Sequence, residues 1–310
     1  MQVHQNINQL PVFKNAVITV GTFDGVHTGH RKLIEKISSL AKQNGGESVL
    51  ITFEPHPRLV LNPEDTSLKL LSTQEEKIRL LAEFSINHLV IAPFTLEFSK
   101  LIARDYVNQF IIDKFHPSII VLGYNHHFGH YRDGNIELLK KLTSENNFSV
   151  EEISKQLIDE IEVSSTKIRI SLQEGNLERA TELLGRYYSL SGKVIHANQL
   201  GRKIGFPTAN IELPNHHKLI PREGVYAVKA LLQGDTFNGM MNIGNRPTFD
   251  GTKLSLEVHL FNFDKDIYDE TIEVSFVKHL RDEQKFNSVD ELIAQLKIDK
   301  QQCEKLFTTL

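Results

Sequence analysis

A ten-residue run near the N-terminus constrains the fold more than any other feature of this chain. Residues 21–30 read Gly-Thr-Phe-Asp-Gly-Val-His-Thr-Gly-His and lie between an apolar stretch at Val17–Val20 and aliphatic residues at helical spacing over 33–40. Three glycines let the backbone approach a ligand where a Cβ atom would clash, namely Gly21, Gly25 and Gly29. The sequence therefore predicts a strand that turns through a ligand-binding loop into a helix.

Two histidines stand at the start of that predicted helix. The first turn of a helix directs free N–H groups and the positive end of the dipole outward, which suits a phosphate. His27 and His30 are three residues apart, so in a helical first turn they share one side. Two imidazole donors there suit charge stabilisation on a phosphoryl group in transfer. A lone His-x-Gly-His is as often a plain strand–helix turn, but the preceding Gly-Thr-Phe-Asp-Gly-Val favours the phosphate site.

This run resembles the HxGH signature of the nucleotidyltransferase superfamily, in the form found in bacterial bifunctional riboflavin kinase/FAD synthetases. In that family an adenylyltransferase module precedes a riboflavin kinase module. The resemblance implies that both histidines are catalytic in the first module. The ATP contacts it implies in this run are Gly21, Phe23, Asp24, Gly25, His27, Gly29 and His30.

Bulk properties bound the class of protein. A chain of 310 residues predicts two domains, and a net charge of −4 gives no basic field that would attract nucleic acid or anionic lipid. Cys303 is the single cysteine, which excludes an internal disulfide and a cysteine-based zinc site. No apolar run approaches the ~20 residues that span a membrane. We expect a cytoplasmic protein with no nucleic-acid or membrane partner; its oligomeric state, a homo-oligomer included, stays open.

The first half of the chain alternates short apolar strands with helical patterns. The predicted strands are Val17–Val20, Val49–Phe53, His88–Ala92, Ser118–Gly123 and a weaker one around Val150. Predicted helices include Gln74–Phe84, with Ser72 and Glu75 as a capping box, and Ser99–Phe115. This alternation is typical of a doubly wound α/β domain with a parallel sheet, whose ligands bind beyond the carboxyl ends of the strands.

The pattern changes after a predicted short helix at Asn176–Leu184, which Gly185 closes. The predicted strands there are Val225–Leu232, Phe237–Asn242, Leu254–Phe261 and Thr271–Val277, followed by a helix that Ser288 and Glu291 open. Sequential antiparallel strands favour a small β-barrel or sandwich. With the resemblance, this predicts an adenylyltransferase domain over 1–185 and a barrel-shaped riboflavin kinase domain with a terminal helix over 186–310.

Three further segments of the first half are assigned by the resemblance. Thr52–Pro57 and Gly123–Gly129 become walls of an FMN site, with contacts at Phe53, Pro55, His56, Asn125 and Phe128. A metal role for His126, His127 and His130 is disfavoured, because adjacent loop histidines usually diverge. Val163–Arg169 resembles the mobile triphosphate clamp of the family; a capped helix start with cationic donors also suits phosphate. Its implied ATP contacts are Ser164, Ser165, Thr166 and the catalytic Arg169.

In the second half, Gly205–Asn210 reads Gly-Phe-Pro-Thr-Ala-Asn and matches the riboflavin kinase signature for metal and ATP. Thr208 and Asn210 share one face of an extended stretch, and two neutral oxygen ligands together with phosphate and water suit Mg²⁺. The ATP contacts implied are Gly192, Lys193, Gly205, Phe206, Thr208 and Asn210. By composition alone this loop would be a turn, and the match reverses that interpretation.

A kinase that phosphorylates an alcohol needs a base near the attacking hydroxyl. Glu257 lies in a predicted strand, opposite its aliphatic face, and resembles the catalytic glutamate of the family, while the alternative is a solvent-facing strand residue. Residues 281–286 resemble a flap beside the flavin, with Arg281 and Phe286 as contacts. The implied reactions take riboflavin and ATP to FMN, then FMN and ATP to FAD, with Mg²⁺. A flavin-binding sensor with one active module and an RNA-binding relative are the rival hypotheses; the intact catalytic residues and the acidic balance disfavour them.

Overall fold

The computed structural model describes residues 1–123, 126–153, 163–196, 200–248 and 251–309 of the chain. Two compact units are present, Met1–Ser165 and Thr166–Leu310. The predicted boundary near Gly185 lies further along the chain than this division and stays a prediction.

The first unit is built on a parallel six-stranded sheet, as the strand–helix alternation predicts. Its spatial order is β1-β4-β3-β2-β5-β6, and every pair that is joined by hydrogen bonds runs parallel. The strands are β1 (Gln2–His4), β2 (Val17–Val20), β3 (Ser48–Glu54), β4 (His88–Pro93), β5 (Ile119–Gly123) and β6 (Ser149–Ile153). The edge strand β1 was not predicted, because it has only three residues and they are largely exposed.

Apolar side chains bury both faces of this sheet. Ile18 and Val20 of β2 pack on one face with aromatic residues such as Phe110, whereas Val17 packs on the other with Ile34 and others from the helix that follows β2. The helices of this unit are α1 (Thr28–Gln43), α2 (Pro57–Leu61), α3 (Gln74–Ala82), α4 (residues 103–115) and α5 (Ile136–Leu142). The buried central strands β2, β3 and β4, with helices on both sides of the sheet, confirm the doubly wound arrangement.

Two helix starts differ from their predicted positions. The predicted helix Ser99–Phe115 begins as a 3₁₀ turn at Phe98–Lys100, and α4 is π-helical over Tyr106–Ile112. The capping box of α3 is formed by Thr73 and Glu76, so the predicted pair Ser72 and Glu75 was wrong by one residue. The Ser72 hydroxyl instead accepts the N–H of Gly25 at 3.1 Å.

The second unit contains a closed six-stranded antiparallel barrel, which confirms the predicted fold of the kinase domain. Its order is β10-β11-β8-β7-β12-β9. The strands are β7 (Tyr188–Ile195), β8 (Ala209–Glu212), β9 (Gly224–Leu232), β10 (Asp235–Thr248), β11 (Gly251–Leu260) and β12 (Thr271–Arg281). Alternating aliphatic residues of β11, among them Leu256, Val258 and Leu260, are buried, as the period-2 pattern predicts.

Helices flank this barrel. They are α6 (Ser165–Gln173), α7 (Leu177–Leu184), α8 (Leu200–Lys203) and the terminal α9 (Val289–Thr309). Gly185 ends α7 in the left-handed conformation, as predicted, and Asn176, the first residue of the predicted helix, is its N-cap. Ser288 accepts the N–H of Glu291 at 3.2 Å, which confirms the predicted start of the terminal helix. Among the helices described, none is both long and apolar enough to cross a membrane.

Candidate functional site

The glycine-rich loop of the first unit connects the carboxyl end of β2 to the N-terminus of α1. His27 is the N-cap of α1, and its Nδ1 accepts the N–H of His30 at 3.3 Å. The two imidazole rings are stacked, with centroids 3.6 Å apart and planes 13° apart. Because Nδ1 of His27 accepts this bond, the ring proton is assigned to Nε2, which can donate to a ligand. The structure therefore brings both predicted histidines together at a helix N-terminus.

Close packing explains the glycines of this loop. Gly25 has a φ of +79°, and a Cβ there would lie 2.8 Å from Cδ1 of Leu71. A Cβ on Gly29 would lie 2.7 Å from Cγ1 of Val163, and one on Gly21 would meet the ring of Phe23 at 3.0 Å. Phe23 itself is buried. These residues shape the loop, and their predicted contacts with ATP stay predictions.

Asp24 anchors the loop, a structural role that the sequence did not predict in addition to its predicted contact with ATP. Its buried carboxylate accepts the N–H groups of Leu71 at 2.9 Å and of Ser72 at 3.1 Å. Together with the bond between Gly25 and Ser72, this ties the loop to the segment before α3. A motif match gives no signal for such an anchor, because the partners are 47 and 48 residues away in sequence.

The residues predicted to line an FMN site lie near the carboxyl ends of β3 and β5. Phe53 is buried against Phe94, Phe98 and Phe110, and Phe128 stacks on Tyr106. The buried His56 caps α2 by accepting the N–H of Arg58 at 3.2 Å, and Pro55 is exposed. Asn125 lies outside the described residues. Packing gives both aromatic rings a core role, so their flavin contacts stay predictions.

The histidines that follow β5 were considered as metal ligands, and the structure gives His126 and His130 other surroundings. Burial, assisted by the charges of His127 and Arg132, lowers the pKa of His126 to about 4. Nδ1 of His130 donates to the carbonyl of Ser99 at 3.1 Å. Within the described ranges, no group of three or more His, Cys, Asp or Glu side chains is placed to hold a metal ion.

The predicted triphosphate clamp reaches the loop through its first residues. The Ser165 hydroxyl donates to the carbonyl of Asp24 at 3.1 Å, and Val163 borders Gly29. Ser164 directly precedes α6 in the sequence, and Thr166 and Arg169 follow within it, in the second compact unit. The ATP contacts of all four predicted clamp residues stay predictions.

The second site lies where β8 pairs with β11. Asn210 is the register partner of Glu257, and the Thr208 hydroxyl donates to Oε2 of Glu257 at 3.2 Å. Oε1 of the same carboxylate is 3.4 Å from the Ser255 hydroxyl. A threonine that donates its proton keeps its oxygen lone pairs available for a cation. The predicted base and both predicted metal ligands are therefore adjacent.

His259 was missed by the sequence analysis. It lies two residues beyond Glu257 on the same face of β11, and its buried ring donates from Nδ1 to the carbonyl of Pro207 at 2.7 Å. This bond holds the backbone directly before Thr208. The period-2 alternation of β11 places this side chain on the same face as Glu257, and this pattern could have identified His259 from the sequence.

The other residues predicted at this site take several roles. Gly205 has a φ of +81° in the turn before Phe206, whose ring is buried near Cys303, and a Cβ on Gly192 would lie 2.5 Å from the carbonyl of Glu212. The exposed Lys193 pairs with Asp269 at 2.8 Å. A cavity of about 230 Å³ adjoins Thr208, and its lining includes Arg202, Lys265 and Tyr268, none of which was predicted.

The predicted flavin contact Arg281 is engaged in an ion pair. Its Nη2 lies 2.8 Å from Oδ2 of the buried Asp299 in α9, and its guanidinium lies 5.8 Å from the ring centre of Phe286. A second cavity, of about 520 Å³, is bordered by the next residues, Asp282 and Glu283, together with Arg222 and Leu254. Arg281 thus joins the barrel to the terminal helix, and a contact with flavin stays a prediction.

Comparison with known proteins covers nearly the whole chain. A family model described as FAD synthetase matches residues 10–167, and one described as riboflavin kinase matches residues 184–307. Proteins named bifunctional riboflavin kinase/FMN adenylyltransferase are similar throughout. The one from Buchnera aphidicola subsp. Schizaphis graminum is 40% identical, with 100% of both chains covered. The one from Listeria monocytogenes is 38% identical, covering 96% of this chain and 94% of its own.

A solved structure from Streptococcus pneumoniae, titled as a macrolide-efflux protein, has the same fold. Its TM-score is 0.85 at 30% identity, covering 96% of this chain and 97% of the other. The two relatives above are more similar in sequence and carry the name of the bifunctional enzyme. The functional assignment therefore follows them.

Proposed function

Because the chain belongs to the family of bifunctional riboflavin kinase/FMN adenylyltransferases, we propose that it carries out its two reactions at two separate sites. The protein phosphorylates riboflavin to FMN and transfers an adenylyl group from ATP to FMN, which gives FAD. The loop at the carboxyl end of β2 serves adenylyl transfer, and the paired strands β8 and β11 serve phosphorylation. The observation that carries this division is the adjacency of Thr208, Asn210 and Glu257 in the barrel.

In adenylyl transfer, a phosphate oxygen of FMN attacks the α-phosphorus of ATP, and the bond to the leaving pyrophosphate breaks. This nucleophile is an anion at neutral pH, so the step needs positioning and charge stabilisation more than a base. Nε2 of His27, the ring of His30 and the N–H groups of α1 supply donors in one place. The resemblance to the family assigns Thr166 and Arg169 to binding of the pyrophosphate.

In phosphorylation, the terminal ribityl hydroxyl of riboflavin attacks the γ-phosphorus of ATP, and ADP leaves. An alcohol is a poor nucleophile at neutral pH, so a carboxylate must take its proton. Glu257 is the proposed base. The hydrogen bond from Thr208 at 3.2 Å orients it. The Ser255 hydroxyl, which donates to the carbonyl of Gly244 at 3.1 Å, lies 3.4 Å from its other oxygen.

Mg²⁺ fits the oxygen donors beside Glu257. The Thr208 hydroxyl and the Asn210 amide are neutral ligands, and Mg²⁺ usually binds few protein groups in addition to phosphate oxygens and water. When bound, the ion would screen the charge of the ATP phosphates. The cavity beside Thr208 is the proposed place of the nucleotide because it adjoins the Mg²⁺ ligand; its lining holds Arg202 and Lys265 together with Asp264 and Asp266, so the charges of its side chains balance. We also place the enzyme in the cytoplasm, where ATP for both steps is supplied.

The test is a chromatographic assay that resolves FMN from FAD after incubation with riboflavin, ATP and Mg²⁺. Each of two variants, His30→Ala and Glu257→Gln, is supplied separately with riboflavin and with FMN. We expect each variant to lose one reaction and keep the other. Loss of both reactions in a folded variant would contradict the assignment to two sites.

A further inference from the structure

A lysine is buried next to the phosphate loop of the first unit. Lys77, in α3, is 5% exposed, and its Nζ donates to the hydroxyl of Thr52 at 3.5 Å. That hydroxyl in turn donates to the carbonyl of Thr22 in the loop at 3.1 Å. A chain of two hydrogen bonds therefore connects the ammonium group to the residue that precedes Phe23.

Two carboxylates act on the same ammonium group. Asp24 in the loop is 2% exposed, and Glu54 is half-buried at the end of β3. Burial lowers the pKa of Lys77, and the charges of Asp24 and Glu54 oppose that lowering. Burial raises the pKa of Glu54, and Lys77 opposes it. Desolvation therefore disfavours each of these charges, and the attraction between the ammonium group and the carboxylates offsets part of that cost.

The substrates make this charge balance matter for the reaction. FMN and ATP are both anions, and in the proposed function they meet at the carboxyl ends of β2 and β3, where Asp24 and Glu54 also lie. Without a compensating cation, these carboxylates would repel both substrates, because Coulomb interactions are strong where water is excluded.

We propose that Lys77 is a positioning residue for adenylyl transfer, which neutralises carboxylate charge behind the phosphate loop and holds Thr52 against the loop so that two anionic substrates can bind. Lys77 itself touches neither substrate. This inference rests on the proposed assignment of adenylyl transfer to the first unit.

The first test replaces Lys77 with Met, which keeps the length of the side chain and removes its charge. We expect the KM for FMN in FAD formation to rise about tenfold or more with a smaller change in kcat, since repulsion acts on bound substrate and transition state alike. Riboflavin phosphorylation by the same protein should be unchanged. Lys218→Met is the matched control: Lys218 is 3% exposed in the second unit, and its Nζ donates to the carbonyl of Ser189 at 2.8 Å. Its KM for FMN should stay within about twofold of the unmodified protein.

A second substitution separates charge balance from packing. In the Lys77→Met background, Glu54→Gln removes one of the uncompensated carboxylates and should return the KM for FMN to within about threefold of the original value. A Lys77→Met protein with unchanged KM overturns the inference, and so does a defect that Glu54→Gln does not relieve. If Lys77→Met alone does not fold, the double variant is compared with Glu54→Gln: similar KM values support the inference, and a tenfold rise overturns it.

His30→Ala, assayed in parallel, distinguishes the inference from the function it rests on. If His30→Ala keeps FAD formation, the assignment of adenylyl transfer to this loop is wrong, and the role of Lys77 is overturned with it. If His30→Ala loses FAD formation while Lys77→Met behaves as the unmodified protein, the inference about Lys77 alone is overturned.

Discussion

In the proposed function, the two sites of this protein stabilise charge with different parts of the chain. In the first unit the donors are the backbone N–H groups of a helix N-terminus and two stacked imidazoles, all on one continuous segment. In the barrel, the Thr208 hydroxyl and the Asn210 amide meet Glu257 from a strand almost 50 residues away. The difference follows from the nucleophiles: a phosphate anion needs donors around it, whereas an alcohol also needs a base.

The largest effect should come from replacing the proposed base, because only one of the two reactions is expected to need it. Glu257→Gln keeps the shape of the side chain and removes its ability to take a proton. We expect riboflavin phosphorylation to fall ~10²–10⁴-fold, the usual cost of losing a general base, and FMN adenylylation to persist. Initial rates with riboflavin and with FMN, each supplied alone, measure this. A near-normal phosphorylation rate would require another base, with Asp282 and Asp250 the next to test; Asp250 lies outside the described residues.

The loop of the first unit should respond in the opposite way. His30→Ala removes an imidazole donor, and we expect FAD formation from FMN to fall ~10²–10³-fold, by analogy with the loss of one oxyanion donor. Phosphorylation of riboflavin should continue, and FMN should accumulate in the combined assay. If the variant forms FAD at a normal rate, the assignment of adenylyl transfer to this loop is wrong, and the first of the two compared sites must be sought elsewhere.

A smaller effect distinguishes metal placement from proton transfer within the barrel. Thr208→Ala removes a proposed Mg²⁺ ligand and one hydrogen bond to Glu257. We expect phosphorylation to fall ~10–100-fold, and a titration with Mg²⁺ should restore part of it, because loss of one ligand weakens the site without removing the base. Glu257→Gln should show no such recovery. If Mg²⁺ restores phosphorylation equally in both variants, Thr208 and Glu257 do not have separate roles in metal binding and proton transfer.

The fold was largely predictable because local patterns and burial agree. Val17–Val20 was predicted with the observed bounds, since four consecutive buried β-branched or small residues form an unambiguous strand. The cap of α3 was misplaced by one residue because Ser72 and Thr73 both precede a glutamate at the right spacing. Only the tertiary bond from Gly25 to Ser72 decides between them.

The positions of the candidate site residues on strands, loops and helix starts were predictable, but their contacts were not. Motifs identified His27, Thr208 and Glu257 as candidates. They did not show that Thr208 and Glu257, which are far apart in sequence, are hydrogen-bonded. They gave no indication that Asp24 anchors the loop or that Arg281 pairs with a buried aspartate of the terminal helix. Such contacts depend on tertiary placement, which a linear motif does not record.

The smallest expected effect concerns acid, to which the histidines of the two units respond differently. Burial and the charge of Lys300 lower the pKa of His259 in the barrel, and its bond to Pro207 opposes that shift. In the first unit, the neighbouring charges of His127 and Arg132 add to burial and lower the pKa of His126 from 6.5 to about 4. A lowered pKa means that the unfolded chain binds the proton more readily, so this contribution to stability is complete above pH 6.5 and is lost as the pH falls toward 4.

His126→Gln should therefore make the first unit less sensitive to acid. We expect the unfolding free energy of that unit to lose about 1–3 kcal/mol less between pH 7 and pH 4 than in the unmodified protein. Hydrogen exchange followed by mass spectrometry of peptides from each unit measures this. His127→Gln, a change at the exposed neighbour, is the control and should have a smaller effect. Identical pH profiles for His126→Gln and the unmodified protein would mean that His126 titrates normally in the folded state, and the contrast in acid response between the two units would then disappear.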